Sequence, residues 1–237
     1  MTATKELKVY QINVGISLPS QDLAIASANR LGAHVICITE PHVVKSRISP
    51  TPGWKSISSA RAAILYNFAV QLHSAEVIGN FAVKAKLGNV EIVSIYLSPN
   101  EPVTGPLDRL YDIVGTTKDV IVAGDLNIRL KWLTSNTIRP RDKEVENFIL
   151  GSGLGVWNDS TPTCIHQGRE SINNYTLSRS TQLVNWKVHP DIVTQASTFP
   201  VSFVHLTGMK NYQSLIHHHS LLTRHQRANF NFSLTYA

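Results

Sequence analysis

Two short segments of this 237-residue chain carry residue types that could hold a hard cation. Glu40 closes the segment containing the apolar run His34–Ile38. Gly124-Asp125-Leu126-Asn127 closes the apolar run Asp119–Ala123. Each puts acidic or amide side chains where a buried strand should emerge into a loop. Two such ends, about 85 residues apart by subtraction, suggest one polar site at the edge of a sheet. A divalent cation takes oxygen ligands of this kind. A plainer reading stands beside it: Asp125 and Asn127 could form an Asx turn, and Glu40 could pair with Lys45.

The elements that must position these ends can be read from periodicity. Residues 6–15 read as a strand, with Leu7, Val9, Ile12 and Val14 among polar neighbours. Pro19-Ser20 opens a helix carrying Leu23, Ala24, Ala28 and Leu31, ended by Gly32. The run 34–39 reads as a strand covered on both faces. Ala62–Tyr66 reads as a further strand, and Phe81–Lys86 and Val90–Leu97 as a hairpin about Gly88-Asn89. Leu107, Leu110, Tyr111 and Val114 mark a second helix. Val145, Phe148 and Ile149 mark a third, closed by Gly151. Strands return at Ser171–Leu177 and Gln182–Val188. Residues 191–213 are polar and weakly periodic, and read as a long loop or insertion. Residues 226–237 read as a final strand or a tail. Consecutive strands mixed with helices, without a repeat, favour a layered α/β sandwich in one domain spanning 1–237.

Bulk properties narrow the class. At 43% hydrophobic the chain can bury a core, which excludes global disorder. A formal charge of +6 favours anionic partners. Cys37 and Cys164 are too few and too far apart for a disulfide framework, so a reducing, intracellular setting is expected. No apolar run approaches the ~20 residues that span a bilayer. Met1-Thr2-Ala3-Thr4-Lys5 leads straight into a strand, so no secretory signal is expected.

The order of the motifs carries a resemblance. Asn13 ends the first strand, Glu40 the next, and Tyr96 sits in Ile95-Tyr96-Leu97-Ser98-Pro99. Gly-Asp-Leu-Asn follows at 124–127, then Thr161-Pro162-Thr163, then Ser171-Ile172-Asn173-Asn174-Tyr175-Thr176-Leu177. His217-His218-His219-Ser220-Leu221-Leu222 comes last. This set resembles the endonuclease/exonuclease/phosphatase superfamily over roughly residues 7–223. More narrowly, it resembles the apurinic-type endonuclease domain of non-LTR retrotransposons.

The resemblance implies a DNase I-like, four-layer α/β sandwich: two packed mixed sheets flanked by helices. It implies a metal-dependent phosphodiesterase that nicks DNA, with Mg²⁺ as cofactor and Mn²⁺ as the alternative. Glu40 would ligate the metal and Asn13 would support it. Tyr96 would contact the scissile phosphate. Asp125 would orient or deprotonate water, Asn127 would bond the phosphate, and His219 would take the place of the family's phosphate-facing histidine. A monomer acting in the nucleus follows, with a reverse transcriptase domain of the same element as partner and no membrane.

Two positions depart from the family pattern. Asn174 stands where the Ser-Ile-Asp-x-Thr-Leu segment has an aspartate that orients the histidine. In a serine protease triad a comparable Asp→Asn change costs about 10⁴-fold in rate. His218 replaces the aspartate of a Ser-Asp-His segment, and as a metal ligand imidazole suits Zn, Ni or Cu better than Mg. A catalytically weak or inactive DNA-binding descendant is therefore the alternative. For DNA contact the sequence offers Arg129, Lys131, Trp132, Arg139, Arg141 and Thr163, cations interleaved with an aromatic after Gly-Asp-Leu-Asn. A solvated basic loop is the plainer reading of that stretch.

Overall fold

The computed structural model describes residues 5–134 and 137–207. Residues 5–207 form one compact unit. In chain order its elements are β1 (Lys5–Asn13), α1 (Leu18–Arg30), β2 (Val35–Thr39), β3 (Trp54–Ser58), β4 (Ala62–Asn67) and β5 (Leu72–Ile78). They continue with β6 (Ala82–Leu87), β7 (Val90–Tyr96), α2 (Thr104–Thr116), β8 (Val120–Asp125) and α3 (Pro140–Gly151). The last are β9 (Gly155–Val156), β10 (Cys164–His166), β11 (Arg169–Ser171), β12 (Asn174–Arg179), β13 (Leu183–Val188) and β14 (Val201–Thr207).

Two mixed six-stranded sheets carry the fold. The first has the order β13-β14-β1-β2-β4-β3 and the second β5-β6-β7-β8-β12-β9. Each contains one parallel pair, β1 with β2 and β7 with β8. Parallel neighbours need a crossover, and α1 and α2 supply it. Ligand sites in α/β sheets gather beyond the carboxyl ends of parallel strands. In this chain those four ends carry Asn13, Thr39-Glu40, Tyr96 and Asp125.

Three apolar clusters fill the spaces between four layers, as expected for the sandwich. Ala24, Ile25 and Ala28 of α1 pack on Tyr10, Ile12, Ile36 and Ile38. Val9, Val35, Cys37 and Ile64 meet Val83, Ala85, Ile92, Ile121 and Ala123 between the sheets. Val93, Ile95, Val120 and Val122 meet Leu107, Leu110, Val114, Val145 and Ile149 of α2 and α3. Strand β2 is buried at every position, which is why its sequence lacks alternation.

Local signals account for the element ends. The Ser17 hydroxyl accepts from the Ser20 amide at the start of α1, and Pro19 sits in the first turn, where its missing N–H costs nothing. Gly88, at φ +59°, opens the two-residue turn between β6 and β7, the glycine-first pattern of a type II′ hairpin.

The expectation of a loop over 191–213 is corrected at 201–207, while 208–213 lie outside the described residues. Residues 201–207 form β14, an interior strand paired with both β1 and β13. Its buried face reads Val201, Phe203, His205, and the histidine breaks the apolar alternation. Residues 191–200 do lack regular structure apart from one isolated bridge. Strands β3, β5, β9, β10 and β11 have no counterpart in the sequence reading. The expected final strand at 226–237 and the histidines 217–219 lie outside the described residues. Among the described residues, no helix is long and apolar enough to cross a membrane.

Candidate active site

The Gly-Asp-Leu-Asn segment is built by close approach of two strands. A Cβ on Gly124 would lie 1.9 Å from the Ile95 carbonyl oxygen, so only glycine lets β8 run this near β7. Asp125 is then the cross-strand neighbour of Tyr96 on one side and of Asn174 on the other. Asn127 is left-handed at φ +49°, a conformation asparagine tolerates. Its backbone N–H donates to Asp125 Oδ1 at 3.1 Å and its Nδ2 donates to the Leu97 carbonyl at 3.2 Å. The Asx turn is therefore present, and it fixes the carboxylate of Asp125.

Asn13 ties the two acids together. Its Nδ2 donates to Asp125 Oδ2 at 2.7 Å and to Glu40 Oε2 at 3.1 Å. Its Oδ1 accepts from the Gly15 amide at 2.8 Å, and its carbonyl accepts from the Thr198 hydroxyl at 2.6 Å. Both amide donors and the acceptor are thus committed, so the Asn13 side chain has one orientation. Glu40 is also left-handed, at φ +48°, and its N–H donates to the Arg61 carbonyl at 2.9 Å. Arg61, not Lys45, pairs with it, with Nη1 3.0 Å from Oε1. Below the site, the buried Gln11 amide donates to the Gly124 and Tyr175 carbonyls and accepts from Thr176. Gln11 thereby fixes the sheet that carries Asn13 against the sheet that carries Asp125.

Charge is concentrated and poorly hydrated here. Burial pushes the Asp125 carboxyl up to about 7, against the lowering effect of hydrogen bonds from Asn13 and Asn127. The Glu40 charge adds to the rise. Burial, then the neighbouring Glu40, raises the Tyr96 hydroxyl far above its ordinary value.

Two carboxylates joined through one amide fit a hard divalent cation that keeps several waters and takes one or two protein carboxylates. They do not fit a thiolate or imidazole metal. Among the described residues no group of three or more histidine, cysteine or acidic side chains converges.

The site opens into a cleft of about 640 Å³. Asn13, Glu40, Tyr96, Asp125 and Asn127 line one side. Cys164, His166 and Ser171 of β10 and β11, Asn173, and residues 195–198 line the other. Sequence reasoning missed this second wall. Its residues lie in two-stranded and irregular segments with no apolar period, and only the motif beginning at Ser171 and the polar character of 191–200 pointed towards them.

The remaining expected residues take varied places. Asn174 is fully buried beside Asp125. Its backbone N–H donates to Thr163 Oγ1 at 3.0 Å and its carbonyl accepts from Asn158 at 2.8 Å, while its side-chain amide has no partner among the described residues. Thr163, expected at the DNA, is instead fully buried, and its hydroxyl braces the Asn173 and Asn174 amides. Arg139 is claimed by Asp142 (2.7 Å) at the start of α3 and by the Asn127 carbonyl. Arg141 also leans on the Asn127 carbonyl, at 3.5 Å. Trp132 packs against the outer core. Arg129 and Lys131 are exposed, and Arg129 donates to the Thr137 carbonyl. The expected roles of His218 and His219 fall outside the described residues.

Comparison with known proteins agrees with this architecture. Residues 90–195 match the family model described as endonuclease-reverse transcriptase. No curated protein sequence matches the chain significantly. Among solved structures, the endonuclease domain of TRAS1, a telomere-specific non-LTR retrotransposon, superposes with a TM-score of 0.71 at 20% identity, over 85% of this chain and 98% of that one. An AP endonuclease from Archaeoglobus fulgidus gives 0.68 at 14% identity, over 84% and 99%. The Xenopus laevis APE2 catalytic domain gives 0.63 at 12%, over 86% and 94%. In sequence over residues 90–195, and in fold over its described residues, the chain resembles the endonuclease/exonuclease/phosphatase superfamily and, within it, the endonuclease domains of non-LTR retrotransposons.

Proposed function

We propose that this chain is a metal-dependent DNA endonuclease of the retrotransposon type, one that nicks a single strand. The observation that carries the reading is the Asn13 amide held between Glu40 and Asp125 at the mouth of a cleft. A bound Mg²⁺ (or Mn²⁺) would neutralise charge on the phosphate and lower the pKa of a water. Glu40 would hold that ion, with Asn13 fixing the carboxylate's rotamer. Asp125, once ionised, would accept a proton from the attacking water. A cation nearby favours that ionised form. Asn127 would bond a phosphate oxygen, and Tyr96 faces the same space. The match to an endonuclease-reverse transcriptase family supports a nucleic acid substrate and a reverse transcriptase domain as partner; on this reading the substrate is DNA and the place of action the nucleus. We read the domain as a monomer.

The side-chain amide of Asn174 favours a second reading, a weak or inactive DNA-binding descendant. It is buried beside Asp125, uncharged and unpartnered among the described residues. It stands where the family pattern has the histidine-orienting aspartate. Nicking of supercoiled plasmid in Mg²⁺, then in Mn²⁺, separates the two. The active reading expects slow nicking that Asn174→Asp with His218→Asp raises sharply. DNA retained with no nicking in either metal would leave the binding-only descendant as the correct account.

A further inference from the structure

An anionic substrate entering this cleft meets Glu40 and Asp125, and among the described residues no lysine or arginine lines the cleft itself. One arginine stands at its edge. Arg61 immediately precedes β4, and Ala62 pairs with Thr39 of β2. Strand register therefore sets Arg61 beside Glu40. Its backbone is fixed: the N–H donates to the Asn80 carbonyl at 2.9 Å, and the carbonyl accepts from Glu40 at 2.9 Å. Its head is less constrained. Nη1 lies 3.0 Å from Glu40 Oε1, the guanidinium carbon sits 5.5 Å from the centre of the Tyr96 ring, and the side chain is 38% exposed.

These contacts tie Arg61 to two residues that face the cleft, while it stays outside the wall. A partly exposed ion pair holds weakly, so the guanidinium can leave Glu40 at small cost. A divalent ion at Glu40 would compete for the same carboxylate. The Tyr96 ring keeps a displaced guanidinium nearby through a cation–π contact. Planar guanidinium suits a phosphodiester, offering two parallel donors to non-bridging oxygens.

We propose that Arg61 is an exchangeable phosphate-binding residue. It pairs with Glu40 in the metal-free site and turns to a phosphodiester of DNA when a divalent cation takes the carboxylate. This rests on the reading of Glu40 as a cation ligand and of DNA as the substrate.

The two halves of the exchange make opposite demands on one variant. Arg61→Met frees Glu40, so Mg²⁺ measured by calorimetry without DNA should bind several-fold more tightly than to the wild type. The same variant loses a phosphate contact. Binding of a fluorescein-labelled DNA duplex in Ca²⁺, followed by anisotropy across a salt series, should then show a log–log slope shallower by about 1. Arg61→Lys keeps the charge and should restore the slope. A bracing role alone would weaken Mg²⁺ binding in Arg61→Met and leave the slope unchanged, and either result overturns the proposal. Glu40→Gln separates this from the reading beneath it. If that change leaves Mg²⁺ affinity unaltered, the assignment of Glu40 to the cation is wrong. If it weakens Mg²⁺ binding while Arg61→Met alters neither measurement, the Arg61 proposal alone is overturned.

Discussion

Asn13 Nδ2 lies 2.7 Å from Asp125 Oδ2, an amide at the end of β1 in one sheet donating to a carboxylate at the end of β8 in the other. The contact crosses the sandwich and is a direct polar link between the two halves of the site. The same nitrogen also holds Glu40, so one side chain sets the spacing of both acids.

Removing that link should loosen both acids together. Asn13→Ala is expected to lower nicking by about 10- to 100-fold, the usual cost of losing a residue that orients a metal ligand. The Asn13 bond lowers the Asp125 pKa, so its loss should also move the acid limb of the pH–rate profile upward. An unchanged limb with reduced rate would mean that Asn13 acts only through Glu40.

Glycine at 124 is demanded by backbone, not by a turn. An added methyl would strike the Ile95 carbonyl at 1.9 Å, so Gly124→Ala should destabilise by about 3 kcal/mol, the upper range for overpacking. Gly105, in the first turn of α2, has open space around it. Gly105→Ala should stabilise by roughly 0.5 kcal/mol through helix propensity. Urea denaturation of both variants checks the contrast, and equal effects would refute it.

His205 is buried in β14, and burial holds its pKa below the ordinary 6.5. The unfolded chain therefore binds more protons than the folded one as pH falls through about 6.5. Stability from this group is present above that pH and is lost below it. His189, lowered in the same direction by burial, adds to the loss. The raised Asp125 carboxyl works the other way over the same window, so the histidine contribution is read as a difference: between roughly pH 7.5 and 5.5 the wild-type urea midpoint should drop relative to that of His205→Leu. A slope unchanged by that substitution would assign the acid sensitivity elsewhere.

Part of this was legible in the sequence because apolar runs ended abruptly in polar residues. The β2 end at Glu40 and the β8 end at Asp125 announced themselves in that way, and so did the hairpin at Gly88. Strand pairing was not legible. Arg61 becomes the partner of Glu40 only once β4 lies beside β2 with Thr39 opposite Ala62; along the chain Lys45 is nearer. Arg139 and Arg141 read as free because the apolar period of α3 begins only at Val145. In fact Pro140 opens the helix, and Asp142 accepts from the Arg139 amide. β5 was missed because most of its residues are exposed and their sequence lacks a buried face. β14 was missed because buried His205 broke its pattern.

The Asp125 carboxyl reports on the central claim directly, since that claim sets it, as the base, beside a cation held by Glu40. Its titration can be followed by carbon NMR of the labelled carboxyl, without and with Mg²⁺. The account predicts a midpoint near 7 in the metal-free protein. Saturating Mg²⁺ should lower it clearly, and Glu40→Gln should blunt that response. A midpoint that Mg²⁺ leaves unmoved in the wild type would contradict a cation held at Glu40 beside the Asp125 base.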